Sequence, residues 1–350
     1  MEHGRCLVAG SRARRRRGGF AVPLLAAVVL APPVSAAPVP AIAPEGPGIA
    51  AAGSRLVATN RTASRALEVS VFSAAMRQDI ALTVLPARDP SAPAPVLYLL
   101  NGSSGGELGS SWIEQTDVLD FLADEQVTVV IPNGGAGSYY TDWRADDPLL
   151  GRQRWATFLT AELPPIVDAA FHGTGANAVA GISMAATSAL QLAVAKPGLY
   201  RAVGSYSGCV RISDPRGQAA VAAVVGRWGG DPVNMWGPFS DPAWSANDAY
   251  LHADALRGTL LYITTGTGLP GPLDTPDPAR DTPGELLDRV TVGGILEAVT
   301  DECTHQLADR LAELRIPATF DFRPAGTHSW SYWEQDLHNS WPLFREALAR

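Results

Sequence analysis

A serine between small residues opens the chemical argument. Ala178-Val179-Ala180-Gly181-Ile182-Ser183-Met184-Ala185 is an apolar, strand-like run that passes through Gly-x-Ser-x-small into a helix-prone segment. A sharp strand-to-helix turn admits only small neighbours and lifts a serine hydroxyl to the head of a helix, where negative charge is favoured. Such a serine can act as a nucleophile in acyl transfer. A plainer role is helix N-capping, for which serine is also preferred. Ala185, in place of a second glycine, leaves both open. A nucleophile of this kind needs a histidine after the last strand and an acid between the two in chain order. Of six histidines, His3 lies at the extreme N-terminus and His172 precedes Ser183. His252 and His305 sit in charge-rich helical surroundings, and His338 in a terminal amphipathic stretch. His328 alone follows an expected strand, in the small-residue loop Ala325-Gly326-Thr327-His328-Ser329-Trp330, and is the candidate general base. More than a dozen carboxylates separate Ser183 from His328, and spacing does not choose among them. The oxyanion donors should be the backbone N–H of Met184 and one from the loop Asn101-Gly102-Ser103-Ser104-Gly105-Gly106. That loop lacks the Gly-Lys-Ser/Thr ending of a phosphate loop, so nucleotide binding is not expected. No His, Cys and Asp cluster has metal-ligand spacing, and neither a metal nor an organic cofactor is expected.

These groups must be held by a frame, and the frame is legible as alternation. Leu67–Phe72 and Ile80–Leu85 read as an opening hairpin. Val96–Leu100, Val127–Pro132, Ala178–Ile182, Ala202–Tyr206, Leu260–Thr264 and Ala318–Phe322 read as core strands. Helical patterns intervene at Trp155–Phe171, Met184–Ala195 and Cys303–Leu314. Strands alternating with helices imply an α/β fold, a mostly parallel sheet covered on both faces. Residues 37–66, rich in Ala, Pro, Gly and Ser, read as a lead-in, and 67–350 as one catalytic domain. Gly266–Glu285, dense in Gly, Pro and Asp, reads as a long polar loop, either a lid or an ornament.

Composition narrows the class. The 350 residues are 46% hydrophobic and 18% charged, which excludes a disordered chain and a multi-span membrane protein. Residues 1–36 carry six arginines and one acid; setting them aside moves the net charge from −8 to −13. So acidic a body is repelled by phosphate backbones, and nucleic acid is not an expected partner. Arg14–Arg17, the apolar Phe20–Val34 and the small residues Val34-Ser35-Ala36 have the order of an export signal cleaved after Ala36. Pro23, Pro32 and Pro33 exclude a buried helix there. The expected location is secreted or associated with the cell envelope. Arg16-Arg17 leaves the Sec and twin-arginine routes both open.

Taken in order, several stretches resemble the mycolyltransferases, the antigen 85 family of secreted α/β-hydrolase-fold acyltransferases. They are Tyr98-Leu99-Leu100-Asn101-Gly102, Ser138-Tyr139-Tyr140-Thr141-Asp142-Trp143, Thr157-Phe158-Leu159-Thr160-Ala161-Glu162-Leu163-Pro164 and Gly181-Ile182-Ser183-Met184-Ala185, followed by Met235-Trp236-Gly237-Pro238, Asp241-Pro242-Ala243-Trp244 with Asn247-Asp248, Gly326-Thr327-His328-Ser329-Trp330 and Tyr332-Trp333. The resemblance spans about residues 67 to 345. It implies an α/β-hydrolase fold and movement of mycolyl groups from trehalose monomycolate to a second trehalose monomycolate or to cell-wall arabinan. By position it implies Ser183 as nucleophile, His328 as base, Glu297 as the triad acid, and Ser103 and Met184 as oxyanion donors. Asn101, Ser104, Trp330 and Trp236 fall on or near the sugar side, with Trp244 on the same rim. Asn101 and Ser104 stand where mycobacterial members carry Asp and Arg, so a charged acceptor clamp is missing. Thr265 stands where those members carry a reactive cysteine. Cys209 and Cys303 look like a pair found in related mycolic-acid bacteria, and beyond the export signal they are the only cysteines, in a compartment where thiols oxidise. The alternatives are a secreted esterase with the same triad and a carbohydrate-binding relative without catalysis.

Overall fold

The computed structural model describes residues 53–276 and 283–350. The expected export signal, most of the expected lead-in and residues 277–282 of the long loop lie outside the described residues. Among the described residues, nine strands form one sheet: β1 (Arg55–Arg61), β2 (Leu67–Ser73), β3 (Gln78–Leu85), β4 (Ala94–Leu100), β5 (Thr128–Asn133), β6 (Gly173–Ile182), β7 (Tyr200–Tyr206), β8 (Leu260–Thr265) and β9 (Thr319–Phe322). Their order is β1-β2-β3-β5-β4-β6-β7-β8-β9. The first three strands are antiparallel, and β3 pairs antiparallel with β5. From β5 to β9 every pairing is parallel.

One expectation needs correcting. Residues 37–66 do not stay a lead-in to their end, because Arg55–Arg61 pairs with β2 as the edge strand β1. Only one side of this strand is bonded, and its residues are exposed or half-buried. An edge strand buries too little to show the apolar run by which a strand is recognised in sequence.

Strand alternation builds two apolar layers. On β4, Val96, Tyr98 and Leu100 face one layer, while Leu97 and Leu99 face the other. The first layer is closed by α1 (Leu163–Phe171) and α2 (Met184–Ala195), and by Val221 and Val225 of α3 (Pro215–Arg227). Leu307 and Leu311 of α4 (Gly294–Glu313) join it. The second layer is closed by α5 (Trp330–Ala349), through Trp333, Leu337, Trp341 and Phe344, together with Trp112 and Val118. Helices thus cover both faces of a mostly parallel sheet, the α/β-hydrolase architecture. In such a sheet, sites form at the carboxyl ends of the strands. Asn101, Ser183, Ser207, Gly266 and Arg323 all stand at or just past the carboxyl ends of β4, β6, β7, β8 and β9.

Candidate functional site

Ser183 sits between β6 and α2 with φ 55° and ψ −123°, a backbone conformation that costs a non-glycine residue about 1–3 kcal/mol. Its N–H donates to Tyr206 O at 2.9 Å, which holds the turn against β7. A Cβ at Gly181 would come within 2.3 Å of Ala185 O, so only glycine lets the strand approach the helix this closely. Ala185 is itself fully buried. The Gly-x-Ser-x-Ala pattern is therefore the steric requirement of a strained turn rather than of a helix cap, and no side-chain capping bond forms.

Ser183, His328 and Glu297 form one hydrogen-bonded row. His328 Nε2 lies 2.7 Å from Ser183 Oγ, and Nδ1 lies 2.7 Å from Glu297 Oε2. Glu297 is fully buried on the first turn of α4. Its Oε1 accepts from Gly266 N–H at 2.6 Å and Ser207 Oγ at 2.8 Å, and it pairs with Arg323 Nη2 at 3.2 Å. Burial pushes this carboxyl up, but the bonds to His328, Gly266 and Ser207 outweigh it and hold the group below its ordinary value. The backbone of the histidine loop is fixed as well: His328 N–H donates to Gly293 O at 3.2 Å. The residues just before α4, Arg289–Gly293, form a π-helical turn, a feature that recurs at functional sites.

The acids that follow Glu297 on α4 and three of the other histidines are engaged elsewhere. Asp301 pairs with His305, and Glu302 with Arg216. His305 stacks on Phe322, His338 stacks on Phe121 and bonds Asp117, and His252 bonds Ser245 O.

Met184 is the first residue of α2, so its N–H has no acceptor within the helix. The opposing loop is tightly tied: Gly137 N–H donates to Ser103 O and Gly134 N–H to Gly105 O. Gly105 has φ +65°, and a Cβ there would lie 2.4 Å from Gly134 O. Ser103, Met184, Ser183 and His328 all line one cavity of about 1240 Å³. Apolar residues such as Val221, Val224, Leu296 and Val299 line part of it, while Ser104, Ser110 and Trp330 line another part. The motif at residues 138–143 braces α2: Ser188 Oγ donates to Tyr139 O and Tyr139 N–H points at Met184 Sδ.

Two expected sugar contacts are corrected by the structure. Asn101 is fully buried, with Nδ2 donating to Pro132 O at 3.0 Å and Oδ1 accepting from Trp112 N–H at 3.1 Å. It is a clamp between chain segments and has no free edge for a ligand. Trp236 is buried against Trp244 and Tyr139, outside the cavity lining, and Trp244 is equally buried. Both indoles belong to the apolar layer that α2 closes, packed edge-on against each other. Ser104 does line the cavity, although its Oγ donates to Ser110 O at 3.0 Å and accepts from Gly106 N–H. Trp330 lines it too, packed edge-on against Trp112 and Trp333.

Cys209 and Cys303 are joined by a disulfide, with Cα atoms 5.0 Å apart. It ties the segment after β7 to α4, and Thr187 of α2 bonds Cys209 O. Thr265 is buried, with Oγ1 3.4 Å from Glu297 Oε1. Of the long loop, Gly266–Pro276 is described. Asp274 anchors it by accepting from Tyr332 Oη at 2.9 Å and from Thr327 Oγ1. Sequence reasoning missed Ser207, Gly266, Arg323, Trp333 and Asp336. Each reaches the row through contacts between segments far apart in the chain, for which no local pattern exists. Among the described residues, no group of three or more His, Cys, Asp or Glu is arranged to hold a metal ion, and no helix is long and apolar enough to cross a membrane.

Comparison with known proteins adds a second line of evidence. The Esterase family matches residues 73–344. The diacylglycerol acyltransferase/mycolyltransferase Ag85A of Mycobacterium leprae is 32% identical over 290 residues, covering 80% of this chain and 82% of its own. Ag85B of Mycobacterium intracellulare is 32% identical over 314 residues, covering 86% and 89%. Among solved structures, Mycobacterium tuberculosis MPT51 (FbpC1) superposes with a TM-score of 0.66 at 25% identity, covering 79% of this chain and 96% of that one. An S-formylglutathione hydrolase from Agrobacterium tumefaciens shares the fold, with a TM-score of 0.57 at 16% identity over 84% and 99% of the two chains.

Proposed function

Because the chain belongs to the antigen 85 mycolyltransferase family, within the larger esterase family, and is an acyltransferase of that kind, we propose that it works through a covalent acyl-serine on Ser183. His328 takes the proton of Ser183 as its Oγ attacks the ester carbonyl, then returns it to the departing sugar oxygen. Glu297 orients the ring and stabilises the imidazolium. The N–H groups of Ser103 and Met184 receive the developing oxyanion. In the second half-reaction His328 deprotonates an acceptor hydroxyl, which attacks the acyl-serine and frees the enzyme. The donor on this reading is trehalose monomycolate, met by the exported enzyme at the cell envelope, and the acceptor a second trehalose monomycolate or arabinan.

The observation that carries the reading is the Ser183–His328–Glu297 row opening into a large cavity with an apolar side for an acyl chain. A second reading, hydrolysis, has its own support. Asn101 and Ser104 are uncharged and engaged by Pro132, Trp112 and Ser110, so no charged clamp holds a sugar there. Incubating the purified protein with a trehalose mono-acyl ester, with and without free trehalose, separates the two. Transfer predicts that added trehalose diverts acyl groups from free acid to new ester. A product ratio indifferent to trehalose assigns the protein to hydrolysis.

A further inference from the structure

The hydrogen-bonded row does not end at Glu297. Arg323, immediately after β9, places Nη2 3.2 Å from Glu297 Oε1 and Nη1 against Asp336 Oδ1. Asp336 lies on α5, fully buried, and its Oδ2 accepts from Thr264 Oγ1 at 2.8 Å. The Arg323 side chain is only 10% exposed, its guanidinium sits over the Tyr332 ring at 5.2 Å, and its backbone N–H is bound to Thr265 O. Four ionisable groups therefore alternate in sign from the cavity inward: His328, Glu297, Arg323, Asp336. A three-membered row needs only the first two of these and a serine. Burying a further ion pair behind it carries a desolvation cost that apolar packing would avoid.

We infer that Arg323 and Asp336 are positioning residues that hold Glu297 in place and set the basicity of His328 through opposed charges. The inference rests on the acyl-serine reading above. Its physics is simple addition of fields in a buried site. The guanidinium disfavours a proton on His328, and the Asp336 carboxylate offsets the guanidinium. Burial lifts the Asp336 carboxyl to about 6 against the pull of Arg323 and Thr264, so its charge changes in the range where a histidine titrates.

The other groups facing this cluster have partners of their own. On α4, Asp301 pairs with His305. On the sheet, Tyr262 bonds Asp321 and Tyr206 bonds Ser340. On α5, Tyr332 bonds Asp274. Their fields are common to all variants changed only at residues 323 and 336.

The signs give the test. The pH dependence of kcat/KM for hydrolysis of p-nitrophenyl butyrate by the full chain is compared in wild type, Asp336→Asn, Arg323→Met and the double variant. Asp336→Asn unmasks the guanidinium, and the acid limb should move to lower pH by roughly half to one unit. Arg323→Met should move it to higher pH, and the double variant should match Arg323→Met, because the buried Asp336 keeps its proton once its cation is gone. KM should change less than kcat, because neither residue lines the cavity. Single variants that both keep the wild-type limb, or both shift the same way, overturn the inference. Should Arg323→Met fail to fold, the near-isosteric Asp336→Asn still decides it. His328 titrated by NMR in that variant must show the downward shift, and an unshifted ring overturns the proposal. Ser183→Ala separates this failure from that of the underlying reading. Wild-type hydrolysis that survives Ser183→Ala rejects the acyl-serine, whereas hydrolysis lost in Ser183→Ala but unshifted in the other variants rejects only the role of Arg323 and Asp336.

Discussion

Glu297→Gln exchanges one carboxylate oxygen for an amide nitrogen of nearly equal size, and the surroundings dictate which end the nitrogen takes. At the Oε1 position, Gly266 N–H, Ser207 Oγ–H and the Arg323 guanidinium all point inward as donors. An NH₂ group there would face three donors, so the amide oxygen must take that position and the NH₂ must face His328 Nδ1. The ring then accepts at Nδ1 and carries its proton on Nε2, the nitrogen that should receive the Ser183 proton across 2.7 Å. The base is present in the wrong tautomer. Loss of catalysis by this route is expected at about 10³–10⁴ in kcat, with the residual rate supplied by the oxyanion donors and binding. Stability should fall much less, because three of the four contacts survive with an oxygen acceptor; the lost charge on the Arg323 pair limits the cost to about 1–3 kcal/mol. The assay is kcat for p-nitrophenyl ester hydrolysis at pH 7–8, paired with urea unfolding. A Glu297→Gln enzyme within tenfold of wild type would refute the assignment. A variant that loses activity only in proportion to unfolding would refute the tautomer argument.

Three further outcomes follow from contacts outside that row. Asn101→Ala leaves Pro132 O and Trp112 N–H buried without partners, so urea unfolding should show a loss of about 2–4 kcal/mol; a raised KM for sugar acceptor with full stability would restore Asn101 to the ligand side. Asp147 is held at about 2 by bonds from Leu150, Asn234, Asp231 and Leu149 that overcome burial. A depressed carboxyl adds stability above its unfolded value of 3.8 that is lost as pH falls toward 2, so Asp147→Asn should cost about 2 kcal/mol at pH 7 and little near pH 2 by denaturant titration. Reduction of Cys209–Cys303 reopens a separation of 94 residues and should lower unfolding free energy by about 4 kcal/mol. A difference under about 1 kcal/mol between oxidised and reduced protein would count against it.

The frame was legible because each core strand is a short apolar run set off from its neighbours by polar or helix-prone segments. Val96–Leu100 and Ala202–Tyr206 fall inside β4 and β7 for that reason. The edge strand β1 was not, since its alternation serves one bonded neighbour and buries little. The start of α4 was hidden by Gly294 and by the π-helical turn that ends at Gly293, so the apparent helix began only at Cys303. Ser183 stood out because its strained turn restricts its neighbours to small residues, and His328 because it follows the last strand in a small-residue loop. Ser207 did not, although it links Trp333 Nε1 to Glu297 Oε1 by hydrogen bonds of 3.0 and 2.8 Å. A serine after a strand is too common to carry a signal until the fold brings α5 and α4 to the same point. Aromatic type likewise misled: Trp236 and Trp330 look alike in sequence, yet only one lies on the cavity.

On the proposed reading, what separates transfer from hydrolysis is a matter of concentration. Water stands at roughly 55 M, so an acceptor at about 10 mM must gain a factor of several thousand merely to match it, or about 5 kcal/mol of preference. The triad cannot supply this, because Ser183, His328 and Glu297 treat any hydroxyl alike. A sugar face on Trp330 contributes about a quarter of it on the scale of aromatic contacts. The polar edge adds little, since Ser104 bonds Ser110 O and Asn101 is buried between Pro132 and Trp112. The balance has to come from excluding water, and the means is the acyl chain. A long chain laid along Val221, Val224, Leu296 and Val299 dries the cavity beside the acyl-serine, whereas a short one leaves its roughly 1240 Å³ wet. Chain length therefore controls the fate of the acyl group as well as the affinity for the donor, and transfer should gain on hydrolysis as the donor chain grows.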